Sequence, residues 1–156
     1  MSNVTIKGMD NLFFKLDNIT NRQTLNKGIT KACLMVEAQA KRNVGNSPKE
    51  WKEDDPAEIA MVKAMITHAI LNTSSGCVGR VGINSLFAIW LHQGTGLYAV
   101  NGDGRKDVPW FWRDPRTGET KSSSGRKPTQ FLNKALNSKK EKIKEILFET
   151  YEESVK

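Results

Sequence analysis

Residues His92 to Val100, HQGTGLYAV, place Gly94 and Gly96 one residue apart with Ala99 three further on. This satisfies the G-x-G-x-x-G/A spacing of dinucleotide-binding loops, whose glycines let the backbone approach a pyrophosphate. The phosphate charge in such loops is held by the amides of a helix that follows the glycines, and a strand must lead into them. The order here is reversed. The preceding run, SLFAIWLHQ, has Ser85 as a good N-cap and reads as a short buried helix, with Phe87, Trp90 and Leu91 clustered on one side. The run after it, NGDGRKD, cannot open a helix. Gly94 is therefore expected to stop the helix and Gly96 to be the flexible point of a turn, with Leu97 to Val100 rejoining the sheet.

Other chemistries fail on their own requirements. NGDGRKD resembles a calcium loop, but its fifth position is Arg105 and its twelfth is Trp112, where a bidentate Glu is needed. His68 and His92 are the only histidines, and they lie far apart without a neighbouring Cys or carboxylate pair, so zinc ligation is not expected. Cys33 and Cys77 are too few for a disulfide framework and read as small buried apolar residues. No G-x-S-x-G elbow occurs, and Glu53, Asp54 and Asp55 read as a solvated cluster. No catalytic, cofactor-binding or metal-ligating residue is expected, and the chain does not read as an enzyme.

What the sequence does concentrate is aromatic rings among cations. RKDVPWFWRDPRTGETKSSSGRKP interleaves Trp110, Phe111 and Trp112 with Arg105, Lys106, Arg113 and Arg116. Such a segment can stack nucleic-acid bases, can form a protein interface, or can use a Trp to complete the core. The net charge of +7 is uneven: Gly104 to Lys144 sums to +8 and Glu145 to Lys156 to −3. The candidate interface residues are Trp51, in the polar loop Val44 to Asp55, and Trp110, Trp112, Arg113, Arg116 and Lys121 on a hairpin.

The elements that must position them follow from periodicity. Thr20 to Gln23 reads as a capping box, and Leu25, Ile29, Ala32, Cys33, Val36 and Ala40 then recur at helical steps, ending before Gly45. Asp10 to Ile19 could form a shorter helix ahead of it. NSPKEWKEDDP reads as a loop, and Asp55, Pro56 and Glu58 open a short helix. MITHAILN and CVGRVGI form a hairpin, with Gly79 and Gly82 marking a bulge or a close backbone approach. VPWFWRD and TKSSS form a second hairpin with its tip at Pro115 to Gly118, placing Trp110 and Trp112 on one face. Leu132, Leu136, Ile143, Ile146, Leu147 and Tyr151 mark a long final helix from about Thr129 to Glu153. The expected fold is α+β, a mainly antiparallel sheet of two hairpins packed against a long N-terminal helix and a long C-terminal helix. Residues 1–156 read as one domain, to which residues 1–19 could be loosely attached. No apolar run is long enough to span a membrane and no signal peptide is recognisable, so folding in the cytoplasm is expected.

The order of these features, with A-x-W-L-x-x-G-T-G and then G-x-K-P-x-x-F-L-x-x-A-L, resembles a family of phage virion proteins. These are the tail-completion or neck proteins of long-tailed bacteriophages, the gene-product-ten-like tail-component family of lambdoid phages. The resemblance is carried by Ala88, Gly94, Thr95 and Gly96, then by Gly125, Lys127, Pro128, Phe131, Leu132 and Ala135, and it spans roughly Thr20 to Thr150. It implies a non-enzymatic ring subunit at the head-tail joint or the upper end of the tail. Its implied partners are a connector, tail-terminator or tail-tube protein, with assembly in the host cytoplasm and residence in the virion. A homo-oligomer is implied once assembled. A nucleic-acid-binding protein using the segment Gly104 to Lys144 is the alternative.

Overall fold

The computed structural model describes residues 22–54, 56–73, 76–115 and 117–155. In chain order they form α1 (Arg22–Gly45), α2 (Lys49–Asp54), α3 (Pro56–Met65), β1 (Thr67–Thr73), β2 (Gly76–Gly82) and α4 (Leu86–Gln93). A single 3-10 turn at Gly96–Tyr98 follows, then β3 (Trp110–Arg113), β4 (Thr120–Ser123) and α5 (Phe131–Val155). The fold is α+β as expected, and each hairpin is its own two-stranded antiparallel sheet. The capping residues Thr20 and Asp55 and the short helix expected at Asp10 to Ile19 lie outside the described residues.

The two long helices pack antiparallel. The Asn43 amide donates to the Phe131 carbonyl at 3.0 Å where α1 ends and α5 begins, and Gly28 near the start of α1 lies against Thr150 near the end of α5. On α1 the buried residues Ala32, Cys33, Val36, Ala40 and Val44 continue the expected stripe. On α5 the expected stripe holds in part, with Leu132 and Ile143 packed against the core and Ile146 half-buried. Phe131, Ala135 and Thr150 are buried, while Leu136, Leu147 and Tyr151 are exposed. Small side chains let the helix axes come close, so Ala135 and Thr150 occupy the contact and the larger leucines fall at its edge.

NSPKEWKEDDP reads as a loop in the sequence, but its middle forms α2. Pro48 starts the turn, its carbonyl accepting from the amides of Trp51 and Lys52 at 3.1 and 3.4 Å. The one aromatic ring of the helix is driven inward, leaving Trp51 2% exposed. The core thus lies between the second half of α1, α2, α3, α4 and the first turns of α5, with Val44, Trp51, Val62, Ile66, Leu91 and Phe131 at its centre. Hairpin β1–β2 covers one side of α1 in the register His68↔Val81 and Ile70↔Gly79. Gly79 makes the expected close approach. A Cβ there would collide with Cys33 Sγ and stand 2.7 Å from Ile29 Cγ2, whereas Gly82 faces open space.

Candidate protein-interaction site

The glycine motif between α4 and β3 forms a backbone clamp. Ser85 caps α4 by accepting from the Ala88 amide, and Gly94 stops the helix at φ 78°, donating to the Trp90 carbonyl at 2.7 Å. Strands do not follow. Leu97 to Val100 make a 3-10 turn and bend instead of rejoining a sheet, because the chain from Thr95 onward pairs with Ser124 to Thr129. The Thr95 amide donates to the Arg126 carbonyl at 2.9 Å, the Leu97 amide to the Ser124 carbonyl at 3.2 Å, and the Arg126 amide to the Thr95 hydroxyl at 3.0 Å. The Thr129 amide and hydroxyl both donate to the Leu91 carbonyl, at 3.0 and 2.7 Å, catching a carbonyl left over at the end of α4.

The close fit explains the residue types. A Cβ on Gly94 would stand 2.8 to 2.9 Å from Tyr98 O, Arg126 O and Pro128 N, and one on Gly96 would meet Ser124 O at 2.6 Å and the Trp110 ring at 2.8 Å. Gly96 takes φ 57°, a left-handed backbone that other residues adopt at a cost. Gly125 abuts Thr95 and Gly96 from the opposite side. The segments G-T-G at Gly94 to Gly96 and G-x-K-P-x-x-F at Gly125 to Phe131 are therefore two faces of one contact.

This clamp holds hairpin β3–β4 beside α4, and between them opens a recess of about 390 Å³. All four tryptophans of the chain line it: Trp51, Trp90, Trp110 and Trp112, together with Phe87 and Arg126. Trp51 is the floor. Its indole N–H donates to the Lys127 carbonyl at 2.9 Å, the Phe87 ring meets its edge at 5.7 Å, and the Arg126 guanidinium lies 4.9 Å from its ring centre. Trp90 and Trp112 are walls, 46% and 40% exposed. A second depression of about 380 Å³ adjoins it, sharing Trp90 and Trp110 and lined by Ile89, Asp103 and Arg105. The Arg105 guanidinium covers Trp110 at 5.7 Å.

The candidate interface residues separate accordingly. Trp110 and Trp112 share the recess face, and Lys121 stands directly across from Trp112, its ammonium 2.6 Å from the buried Asp114 carboxylate. Arg113 turns back to the hairpin tip, where its Nε donates to the Gly118 carbonyl at 2.9 Å. Arg116 lies outside the described residues. Trp51 is buried and not on an exposed loop as the sequence suggests, because its indole N–H finds a backbone carbonyl inside; it supports the recess from below. Gly94, Gly96, Gly125 and Pro128 form the clamp.

Trp90, which the sequence places on the buried side of its helix, is a recess wall. A signal for this exists: α4 is apolar on every side, and Leu86, Ile89, Trp90 and Gln93 form a second face besides the buried Ala88 and Leu91. His92, at the end of the same helix, meets the Phe131 ring edge-on at 5.1 Å, and burial pushes its pKa below the ordinary 6.5. Far from the recess, His68 Nδ1 lies 2.6 Å from Glu37 Oε2, and Glu37 also accepts from Lys41 at 2.5 Å. The Lys41 and then the His68 hydrogen bond hold that carboxyl below its usual 4.5. Burial raises the Cys33 thiol, while Cys77 is only half-buried. Among the described residues no three His, Cys, Asp or Glu side chains gather as a metal site would require, and no helix is long and apolar enough to cross a membrane.

Comparison of the chain with protein-family models, with curated proteins and with solved structures yields no match.

Proposed function

We propose that this chain is a structural virion assembly protein of a long-tailed bacteriophage, acting at the head-tail joint or the upper end of the tail. It works by ring-forming protein-protein contacts with copies of itself and with a connector, tail-terminator or tail-tube protein. The observation that supports this most is the convergence of all four tryptophans on one open recess. Trp and Arg are enriched among the residues that carry interface energy, and Trp buries a large area at little cost in side-chain entropy. Exposed aromatic walls at one end of a rigid helical frame make a docking surface rather than a core.

The order of sequence motifs resembling phage tail-completion proteins supplies the rest of the reading. Its test is an assembly assay in which the wild-type protein is replaced by a Trp110→Ala, Trp112→Ala double variant. Heads and tails should accumulate separately; a normal virion yield overturns the assignment. The same variant separates the alternative reading. If the basic segment served nucleic acid, the wild-type protein would bind DNA with an affinity falling steeply with salt, and the double variant would lose the stacking part of it.

A further inference from the structure

The last third of α5 carries a feature that its own fold does not use. The helix buries Phe131, Ala135 and Thr150, and at about 100° per residue Phe148 points the opposite way. It is 61% exposed. Its neighbours three and four residues away on that face are Lys144, Glu145, Tyr151 and Glu152, with exposed Leu147 beside it. Lys144 is held by Glu141 at 2.9 Å, one turn further from the helix end. Glu145 is paired in turn with Lys142 at 2.5 Å, but from Glu145 to Glu153 the sequence holds four Glu (Glu145, Glu149, Glu152 and Glu153) and no Lys or Arg, so the patch is an aromatic knob on an acidic helix end.

The tryptophan recess is its chemical complement. It has aromatic walls, with Arg126 over Trp51 and Arg105 over Trp110, while Lys121 across from Trp112 is paired with Asp114. The segment Gly104 to Gln130, which supplies Trp110, Trp112, Ser123 and Arg126 to its lining, holds seven Lys or Arg against three Asp or Glu. Knob and recess cannot meet within one chain. The start of α5 is pinned at the recess by Trp51 on the Lys127 carbonyl and by Phe131 against His92, and Phe148 lies about 25 Å further along the helix at 1.5 Å per residue.

We propose that the Phe148 end of α5 in one copy docks into the tryptophan recess of the next, a head-to-tail contact between two different surfaces of the same chain. This rests on the assembly reading above and names the surfaces through which copies join. Such a heterologous contact repeats from copy to copy and closes into a ring when the rotation per subunit divides a full turn. Opposite charges on knob and rim steer the encounter and exclude the like-charged pairings of recess with recess or knob with knob.

Sedimentation velocity on the full chain tests this. The wild-type protein should show concentration-dependent dimers and longer species, fewer at high salt because the rim charges are screened. Phe148→Ala sits on the solvent face and should melt like the wild type, yet it should associate at least about tenfold more weakly, as expected for a central aromatic anchor. Trp110→Ala, Trp112→Ala should also associate more weakly, though with a lower melting point than the wild type, and Glu149→Lys, Glu152→Lys, which keeps the aromatic knob and reverses its charge, should weaken association without that loss of stability. Mixing the Phe148 and tryptophan variants is decisive. Each retains one good surface, so the mixture should form pairs and nothing longer. A wild-type monomer up to about 1 mM, undiminished association of the Phe148 variant, or a mixture that stays monomeric overturns the contact. If the Phe148 variant associates normally while the tryptophan variant still fails to give virions, the assembly reading survives and only this contact falls.

Discussion

β1–β2 and β3–β4 are both antiparallel two-stranded sheets, yet one is set into the frame of the molecule and the other is held out from it. The first presents His68, Ile70 and Val81 to α1, and its seven-residue strands run beside that helix. The second has four-residue strands and depends on the glycine clamp and on Trp110 and Trp112 for its position. An isolated hairpin of this length is marginal in water, so its placement must come from the backbone contacts at Thr95 and Arg126. A hairpin that packs His68, Ile70 and Val81 on a helix has that face committed to the fold. One fixed at its base and open along a tryptophan face is free to bind.

That contrast can be broken most severely at its base. Gly94→Val puts a β-branched residue at φ 78° against three backbone atoms, and strain of that kind together with overpacking costs roughly 3 kcal/mol or more. Urea unfolding should register this as a large fall in midpoint, whereas Gly82→Val, in β2 and facing open space, should move it by less than about 0.5 kcal/mol. Equal effects at the two glycines would mean that the two hairpins are anchored alike.

Part of this distinction is legible in the sequence. Gly94 as a helix stop, Ser85 as its cap, the strand pairs of both hairpins, and the placing of Trp110 and Trp112 on one face all follow from local rules of capping and alternation, which act over a few residues. What escapes those rules is non-local. α2 is hidden because KEWKED is polar except for Trp51, and only the carbonyl of Lys127, far away in sequence, explains why that ring turns inward. Periodicity finds Leu132 and Ile143 on α5 but misses Ala135 and Thr150, because it counts large apolar residues while the helix contact selects small ones. Likewise the recess brings α2, α4, β3 and Arg126 together through the pairing of residues 95–97 with 124–126, which no spacing within either segment encodes.

A pH titration sharpens the comparison with smaller effects. At the clamp, burial disfavours the charged form of His92, so the folded-state pKa lies below 6.5. The unfolded chain takes up the proton first as pH falls, and the His92 contribution is present above about pH 6.5 and lost on acidification toward the lower folded value. At hairpin β1–β2, Glu37 is held below 4.5 by Lys41 and His68. Its contribution is present above about pH 4.5 and is lost only as pH falls through the depressed value. Unfolding midpoints should therefore begin to drop near pH 6.5, with His92→Phe removing that first decline, and drop again below pH 4.5, with Glu37→Gln removing the second. A single decline insensitive to His92→Phe would contradict the buried neutral imidazole at the clamp.

The smallest effect expected is also the most selective. Phe111 sits between Trp110 and Trp112 in sequence but on the opposite face of β3, 68% exposed and paired with Ser122. If composition alone made this hairpin adhesive, all three aromatics would contribute equally to self-association. If the recess face binds, Phe111→Thr should change neither the sedimentation profile nor, beyond about 0.5 kcal/mol, the stability, since a β-branched residue suits an exposed strand position. Losing association with Phe111→Thr while Trp112→Ala retained it would turn the hairpin over, placing the working surface on the face that points away from α4.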